Sequence, residues 1–393
     1  MRIAAREGTA GEVFLVFLQL GLTSFGGPIA HLGYFRDEIV ARRRWMNEAD
    51  YGELVALCQF LPGPASSQVG FALGLHRAGP LGALMAWLAF TLPSALLLVA
   101  VAAGANLLEG PIAQGILHGL KLTAVAVVAQ AVWGMARSLA PDRQRASIAV
   151  VALALAVGVA GSPGQVVAIA MGAGAGLIWC RSEGAQLSRP PGFPVSRQRG
   201  AACLVLFAVL LAGLPLLASA TAWHGLDILD GFYRAGALVF GGGHVVLPLL
   251  DAETVATGWI NRDAFVAGYG AAQAVPGPLF TFAAYLGAVD SGLAGAALAL
   301  VAIFLPGFLL LIGVLPFWDS WRRRPVAQAA MRGANAAVVG ILAAALYDPV
   351  WTGSIMQPLD FVAAAAGFVA LVVWKAPSWI VVLALALGGL ALQ

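Results

Sequence analysis

Long apolar runs, separated by short polar loops, cover most of the chain. A helix needs about 20 apolar residues to cross a bilayer, and the pattern predicts thirteen helical segments. These segments are 12–32, 51–75, 80–108, 112–136, 146–161, 164–180, 201–222, 232–250, 264–289, 292–317, 326–347, 355–373 and 377–392. The fifth and sixth are short, so we expect a tilted pair of helices or one re-entrant unit there. The pattern predicts an all-α polytopic protein embedded in a lipid bilayer.

Composition excludes the other broad classes of protein. Of 393 residues, 60% are hydrophobic and 10% are charged, whereas soluble domains carry about 25% charged residues. Disorder requires low hydrophobicity, and the continuous apolar runs lack the strand alternation of a β-barrel. The net charge of +3 is spread over short loops, so we expect no nucleic-acid partner. Cys58, Cys180 and Cys203 are isolated from one another, which indicates neither a disulfide framework nor a metal site.

Loop charges predict the orientation in the membrane. With the N-terminus in the cytoplasm, fifteen of the 22 Lys and Arg residues fall on cytoplasmic segments, as the positive-inside rule favours. The cluster Arg42–Arg44 falls on the opposite side and is the exception. If segment 51–75 enters the membrane and returns without crossing, this cluster moves to the cytoplasmic side, and the sequence leaves that alternative open.

An internal repeat divides the chain into two halves. Five landmarks recur in the same order at offsets of 213 to 215 residues. They are Ser24-Phe25-Gly26-Gly27 with Val239-Phe240-Gly241-Gly242, Trp45-Met46-Asn47 with Trp259-Ile260-Asn261, Gln59 with Gln273, Pro62-Gly63-Pro64 with Pro276-Gly277-Pro278, and Leu92-Pro93 with Leu305-Pro306. We assign an N-terminal repeat of about six segments to 11–180, a linker with a connecting span to 181–226, and a C-terminal repeat to 227–393. An odd number of segments separates equivalent positions, which predicts inverted halves, as in secondary transporters whose substrate site lies between the repeats.

Each half carries a Pro-Gly-Pro break inside an apolar segment. The prolines remove backbone donors and the glycine allows a sharp turn, so we expect broken helices at Pro62-Gly63-Pro64 and at Pro276-Gly277-Pro278. The helix that restarts after each break directs unpaired N–H groups and its positive dipole end into the membrane, which suits an anion. Ser66 and Ser67 follow the first break and Thr281 matches Ser67 in the second, so their hydroxyl groups add donors. Two matched breaks favour a substrate site over a structural kink.

Glycine also interrupts the first segment of each half, at Gly26-Gly27 and at Gly241-Gly242. Such glycines permit an unusual backbone conformation or close helix packing, and we include them among the candidate substrate-binding residues. His31 and His244 flank these breaks without matching in the repeat. A titratable group is needed for proton coupling; the candidates are these two histidines together with Asp50 and Glu53, and the sequence does not choose among them.

Two cations lie within predicted spans. Lys121 is about ten residues into its segment, roughly 15 Å deep at 1.5 Å per residue, and Arg332 and Asn335 form a polar pair in the matching segment of the other half. A charge at that depth is costly unless it faces a cavity or a partner. Because guanidinium and ammonium groups suit a tetrahedral dianion, we predict that these three residues bind substrate. The alternative is snorkelling, or a structural pair with Glu53 or Asp50.

The motifs of the two halves resemble those of a known family. They are Phe25-Gly26-Gly27-Pro28-Ile29-Ala30-His31, the Trp45 loop, Leu61-Pro62-Gly63-Pro64, Phe240-Gly241-Gly242-Gly243-His244 and Val275-Pro276-Gly277-Pro278. Over nearly the whole chain they are similar to the chromate ion transporter (CHR) family in its long two-domain form. The resemblance implies a multi-pass protein of the bacterial inner membrane that exports chromate, driven by the proton-motive force, and confers chromate resistance. Nothing in the sequence indicates a cofactor.

Several alternatives stay open at this stage. Sulfate or another tetrahedral oxyanion shares the charge and shape of chromate, and an anion channel shares the plan of broken helices in two halves. An intramembrane hydrolase using Ser66 or Ser67 is the alternative from another class, but the chain lacks a G-x-S-x-G elbow, a metal motif and a nucleotide fingerprint. A scaffold subunit would not need Lys121 or Arg332. Symport against antiport and a homodimer are also left open.

Overall fold

The structure is a computed structural model that describes residues 8–25, 27–105, 111–159, 162–180, 193, 195–240, 245–318 and 324–390. The described residues form helices and no strand, which confirms the all-α polytopic class. The α-helices are α1 (Ala10–Thr23), α2 (Gly27–Phe35), α3 (Glu48–Phe60), α4 (Ala65–Ala105), α5 (Pro111–Leu139), α6 (Arg143–Gly158), α7 (Ser162–Trp179), α8 (Arg197–Ala220), α9 (His224–Leu238), α10 (Val246–Thr254), α11 (Arg262–Ala272), α12 (Phe282–Val314), α13 (Pro325–Ala345), α14 (Pro358–Val372) and α15 (Ser378–Gly388). Turns of π-helix continue α2 over Arg36–Arg42 and α13 over Leu346–Trp351.

Among the described residues, five helices are long and apolar enough to cross a bilayer, at Ala65–Gly104, Gln114–Leu139, Arg197–Ala220, Leu279–Phe317 and Pro325–Trp351. Four of the thirteen predicted segments, 12–32, 51–75, 232–250 and 264–289, are instead pairs of shorter helices separated by a break. The breaks expected at Pro62-Gly63-Pro64 and Pro276-Gly277-Pro278 lie within two of these pairs, and the glycine interruptions expected in the first segment of each half fall within the other two. At the Pro-Gly-Pro breaks the prolines lack backbone donors and the central glycines adopt positive φ, which ends the first helix of the pair.

The two longest helices, α4 and α12, each double back on themselves. Gly79 has φ +71° and Gly292 has φ +63°, a left-handed conformation that interrupts the helix at matched positions of the repeat. A Cβ atom added to Gly74 would overlap the carbonyl oxygen of Gly82. Residues eight positions apart touch only if the helix reverses direction between them. Each of these helices therefore consists of a short arm, a tight turn and a long arm.

The short helices of the first half form two hairpins that open toward the same end of the molecule. Arg77, at the end of the short arm of α4, lies 3.2 Å from the Glu12 carboxylate at the start of α1. The Arg77 guanidinium also lies 5.1 Å from the Trp45 ring centre, and Arg43 lies 5.9 Å from the same ring. Segment 51–75 therefore enters and returns, and the cluster Arg42–Arg44 shares an end of the molecule with Arg77. With this geometry, the cluster Arg42–Arg44 is no longer an exception to the positive-inside distribution of the loop charges.

The second half repeats this arrangement with other residues. His224 begins α9 and its Nε2 atom lies 2.8 Å from the Asp290 carboxylate, at the end of the short arm of α12. The His224 ring packs edge-on against Trp259 at 4.9 Å. Trp259 matches Trp45, so each half closes the outer end of its hairpins with an ion pair beside the repeated tryptophan. These tryptophans thus pack against titratable side chains at the outer ends of the hairpins.

The last two helices of each half pack on a helix of the other half. Helices α6 and α7 pack on α13, where Gly340 faces Ala149 and Gly333 faces Gly176. In the same way α14 and α15 pack on α5, where Gly119 faces the Leu385 backbone. Glycine at these contacts lets helix backbones approach closely, as is common in membrane proteins. The two halves are thus interlocked, and α6 and α7 pack against each other as a pair of helices.

Candidate functional site

The breaks of the two halves meet at the centre of the molecule. The Gly63 N–H donates to the Val239 carbonyl oxygen (2.7 Å), and the Gly277 N–H donates to the Ser24 carbonyl oxygen (2.9 Å). Gly63 and Gly277 are matched positions of the repeat, and so are Ser24 and Val239. Each Pro-Gly-Pro break is therefore hydrogen-bonded to the glycine-rich break of the other half.

Glycine is required at the centre of both Pro-Gly-Pro breaks. Gly63 has φ +118° and Gly277 has φ +103°, where other residues are strained. A Cβ atom on Gly63 would lie 3.0 Å from the Gly307 Cα atom, and one on Gly277 would lie 2.9 Å from the Ser94 hydroxyl oxygen. Since Gly307 and Ser94 are matched positions as well, the two breaks occupy equivalent environments. The flanking prolines Pro62, Pro64, Pro276 and Pro278 lie outside the helices, as predicted.

A group of buried polar side chains surrounds this crossing point, each no more than 3% exposed. Its members are Ser24, His31, Ser66, Ser67, Gln68 and Thr91. The His31 Nδ1 atom lies 3.4 Å from the Ser66 hydroxyl oxygen, and the Gln68 amide donates to the Gly307 carbonyl oxygen at 2.9 Å. Buried side-chain atoms of this group without a hydrogen-bond partner are the Ser24, Ser67 and Thr91 hydroxyl oxygens, the His31 Nε2 atom and the Gln68 Oε1 atom. Because buried polar atoms are normally hydrogen-bonded, these atoms indicate a place for a polar ligand or for water.

This polar group belongs to the first half of the chain. The matched positions of Ser66, Gln68 and Thr91 in the second half are Phe280, Phe282 and Phe304, and all three of these rings are buried. Thr281, which matches Ser67, donates its hydroxyl to the Pro278 carbonyl oxygen at 2.7 Å. The centre is therefore polar on one side and aromatic on the other. Sequence reasoning missed Gln68 and Thr91, although the repeat offset already paired them with phenylalanines.

The predicted cations lie apart from the crossing point. The Lys121 ammonium pairs with the Asp263 carboxylate at 2.6 Å, so neither Glu53 nor Asp50 is its partner in the ion pair. Arg332 donates to the Cys180 carbonyl oxygen at 2.9 Å and thereby caps the C-terminal end of α7. Lys121 and Arg332 thus hold helices of different segments together.

The other predicted residues are distributed as follows. Asn335 has a buried side-chain oxygen without a partner on α13. Asp50 accepts from the Asn47 amide at 2.9 Å at the start of α3, and Glu53 lies half-buried on the same helix. Gly27 has φ +80° at the first break. The candidates Gly26, Gly241, Gly242 and His244 lie outside the described residues. Among the residues that are described, no group of three or more His, Cys, Asp and Glu side chains is placed to hold a metal ion.

A cavity of about 330 Å³ lies beside the first break. It is lined by Gly27 and by the polar side chains of Gln130, Gln273, Lys375 and Ser378. Lys375 lies in the exposed turn between α14 and α15 and lines the same cavity as Gly27 and Gln273. The repeat carried a signal for this, because Pro377 matches Pro163 at the turn between α6 and α7.

Comparison with known proteins gives a consistent result. The family model described as "Chromate transporter" matches residues 11–177 and 226–390. A "Chromate transport protein" of Pseudomonas aeruginosa is 29% identical over 394 residues, which cover 96% of this chain and 90% of that protein. A protein with the same description from Cupriavidus metallidurans is 29% identical over 86% of this chain and 82% of its own length. A "Probable chromate transport protein" of Synechococcus elongatus is 29% identical over 84% and 82% respectively. No solved structure matches the chain.

Proposed function

The chain belongs to the chromate transporter family, and from this premise we propose that it is a secondary active transporter that exports chromate across the bacterial inner membrane. The proton-motive force drives the export in this proposal. Its relatives from Pseudomonas aeruginosa and Cupriavidus metallidurans are described as chromate transport proteins. The helical multi-pass fold, with broken helices in both halves, supports a transporter over an enzyme.

The observation that carries the proposal is the crossing point of the four breaks. Two hydrogen bonds, from Gly63 to Val239 and from Gly277 to Ser24, hold the breaks together, and buried hydroxyl groups beside them lack partners. A tetrahedral dianion offers four oxygen acceptors, and hydroxyl donors satisfy them at lower desolvation cost than fixed charges do. We assign the hydroxyls of Ser24, Ser67 and Thr91 to the substrate path.

Alternating access follows from how the halves are joined. The two reciprocal hydrogen bonds are short links between the Pro-Gly-Pro break of one half and the glycine-rich break of the other. Rocking of one half against the other would break one link before the second, opening the polar centre to one side at a time. The ion pairs Arg77–Glu12 and His224–Asp290 keep the outer ends of the hairpins closed during this motion.

Among the candidate proton carriers that the structure describes, His31 is the one at the crossing point. It is 1% exposed, contacts the Ser66 hydroxyl and packs edge-on against Phe90 at 5.4 Å. A histidine here exchanges its proton only when water or substrate reaches the centre, which couples protonation to the open state. Asp50 lies at the start of α3, away from this contact.

The orientation with a cytoplasmic N-terminus forms part of the proposal. Arg43 and Arg77 lie at one end of the molecule, beside Trp45, and the positive-inside rule assigns the arginine-rich end to the cytoplasm. Sulfate remains the alternative cargo, because its charge and shape match those of chromate.

Uptake of labelled chromate into everted membrane vesicles tests the proposal. We expect uptake that requires a proton gradient and that excess sulfate reduces in proportion to its own affinity. Ser67→Ala should weaken uptake and His31→Gln should uncouple it from the gradient. Ser138→Ala is the matched control, since that hydroxyl bonds to its own helix at the exposed end of α5 and should leave uptake unchanged. Correctly inserted protein without uptake above empty vesicles would overturn chromate transport, and complete inactivity of Ser67→Ala with intact substrate binding would favour an enzyme.

A further inference from the structure

The helices α14 and α15 form a hairpin along α5. Near the start of α14, Asp360 pairs with His118 of α5 at 2.7 Å, and further along Gly367 faces Ala126. Helix α15 runs the opposite way, because its last residues, Leu385 and Gly389, face Gly119 and Gly115 of α5. The tip of the hairpin, residues 373–377, therefore lies beside the middle of α5 and not beside either end.

The tip reaches the level of the central breaks. Gln130 of α5 lines the same cavity as Lys375, and it is nine residues from Leu139, about 14 Å at 1.5 Å per residue. Trp379, in the first turn of α15, contacts the Phe25 ring at 6.3 Å between ring centres. Gln273, next to the second Pro-Gly-Pro break, lines the cavity from the other side. The cavity thus connects the hairpin tip with the first break and the second.

Hydrogen-bond donors dominate the polar lining of this cavity. Helix α15 begins after Pro377 without a side-chain cap, and the Ile380 N–H donates to the Pro377 carbonyl oxygen, so the N–H groups of Ser378 and Trp379 are the ones left for a ligand. The Gln273 Nε2 atom is buried and has no partner. Lys375 contributes an ammonium group, and no carboxylate lies among the lining residues. Among the described residues, Lys121 forms an ion pair with Asp263, whereas no ion pair includes Lys375.

We propose that this cavity is an anion-binding site, separate from the buried hydroxyl groups, in which Lys375, the N-terminus of α15 and the Gln273 amide bind a tetrahedral divalent oxyanion such as sulfate or chromate. Lys375 is exposed on the turn between α14 and α15, so its ammonium group is accessible to a dianion in the cavity and supplies a counter-charge for it. The volume of about 330 Å³ is many times the ~30 Å³ of a water molecule, so the anion enters with part of its hydration shell. In this proposal the site binds the anion before it reaches the crossing point. The identification of this anion as the transported substrate rests on the proposed function.

The two halves differ at this position. Lys375 matches Gly161 in the repeat and Gln130 matches Ala344, so the equivalent place of the first hairpin carries neither the cation nor the amide. The chain therefore has one such anion-binding site, whereas two identical halves would have two. Lys375 also has φ +54°, which glycine adopts freely. Lys375→Gly consequently removes the charge while keeping the turn between α14 and α15.

Equilibrium binding of labelled inorganic sulfate to the purified full chain tests the proposal. We expect Lys375→Gly to weaken binding by roughly 10-fold to 100-fold, the loss of one charge-assisted contact, with an unchanged melting temperature. Lys375→Arg should retain most of the affinity. Arg137→Ala is the matched control, since it removes a cation from the exposed end of the same α5 helix and should bind as the unchanged chain does.

The outcomes separate this proposal from the proposed function. Sulfate binding that Lys375→Gly leaves unchanged, or that only Ser67→Ala abolishes, overturns the Lys375 site even if chromate is transported. Binding that depends on Lys375, in a protein that takes up no chromate into vesicles, supports the site and overturns chromate as the cargo. A folded, unchanged chain that binds neither sulfate nor chromate overturns the site.

Discussion

Replacing Gly277 by alanine tests the crossing point directly. Gly277 has φ +103°, and an added Cβ atom would lie 2.9 Å from the Ser94 hydroxyl oxygen and 3.2 Å from the Phe90 carbonyl oxygen. Left-handed backbone costs about 1–2 kcal/mol for a residue with a side chain. Displacement of the Gly277 N–H from the Ser24 carbonyl oxygen forfeits about 1 kcal/mol more. We therefore expect Gly277→Ala to lower the free energy of unfolding by about 2–3 kcal/mol.

Thermal unfolding in detergent, followed by tryptophan fluorescence, measures this loss. Gly134→Ala is the control, because Gly134 lies within α5 with open space around it and alanine favours helix by about 1 kcal/mol over glycine. Chromate uptake should fall in Gly277→Ala and stay unchanged in Gly134→Ala. Gly277→Ala combined with Ser94→Gly removes the contact with Ser94 but keeps the contact with the Phe90 carbonyl oxygen and the backbone strain, so the melting temperature should recover in part.

Two results would refute this reasoning. A Gly277→Ala protein with the stability and uptake of the unchanged chain would show that the φ angle and the contact with Ser94 do not constrain the centre. Full recovery on adding Ser94→Gly would show that the steric contact alone matters and that the left-handed backbone costs nothing.

Three further predictions concern the polar contacts away from the crossing point. Arg332→Met should lower the melting temperature, because it removes the cap on α7, and should leave the KM for chromate unchanged. A raised KM would instead indicate that Arg332 binds substrate. Partial burial lowers the pKa of His224, but the hydrogen bonds and charges of nearby carboxylates, above all Asp290, outweigh it and raise the pKa. The stabilisation by this pair is complete at acid pH and is lost as pH rises through the raised pKa, so a melting temperature measured from pH 5 to 9 should fall, and His224→Gln should flatten that fall. Asp360 is fully buried and paired with His118. Asp360→Ala should therefore lower the free energy of unfolding by about 3 kcal/mol or more, which chemical denaturation measures.

The positions of the breaks were predictable from the sequence, because their cause is local. Proline lacks a donor and glycine tolerates positive φ wherever they stand, and Gly63 and Gly277 both adopt it. The direction of the helices after each break was not predictable in the same way. Whether segment 51–75 crosses or returns depends on whether the chain reverses at the break between α3 and α4, which apolar periodicity does not reveal.

The roles of charged residues were harder to predict, because a partner distant in sequence decides them. Lys121 was assigned to substrate on its depth alone, and Asp263, 142 residues later, pairs with it. Lys375 lies in an exposed turn, and the packing of the α14 and α15 hairpin makes this turn line a cavity together with Gly27 and Gln273. In both cases tertiary packing, which has no local signature, decides the environment of the charge.

The exchange of terminal hairpins between the halves has a consequence for biosynthesis. Helix α5 ends at Leu139, and the hairpin that covers it begins at Pro358, so α5 leaves the ribosome long before its packing partner exists. Contacts this distant in sequence form late and expose bare helix faces in the interval. The glycine face of α5, around Gly115 and Gly119, therefore stays uncovered by its partner helix until α14 and α15 have been synthesised.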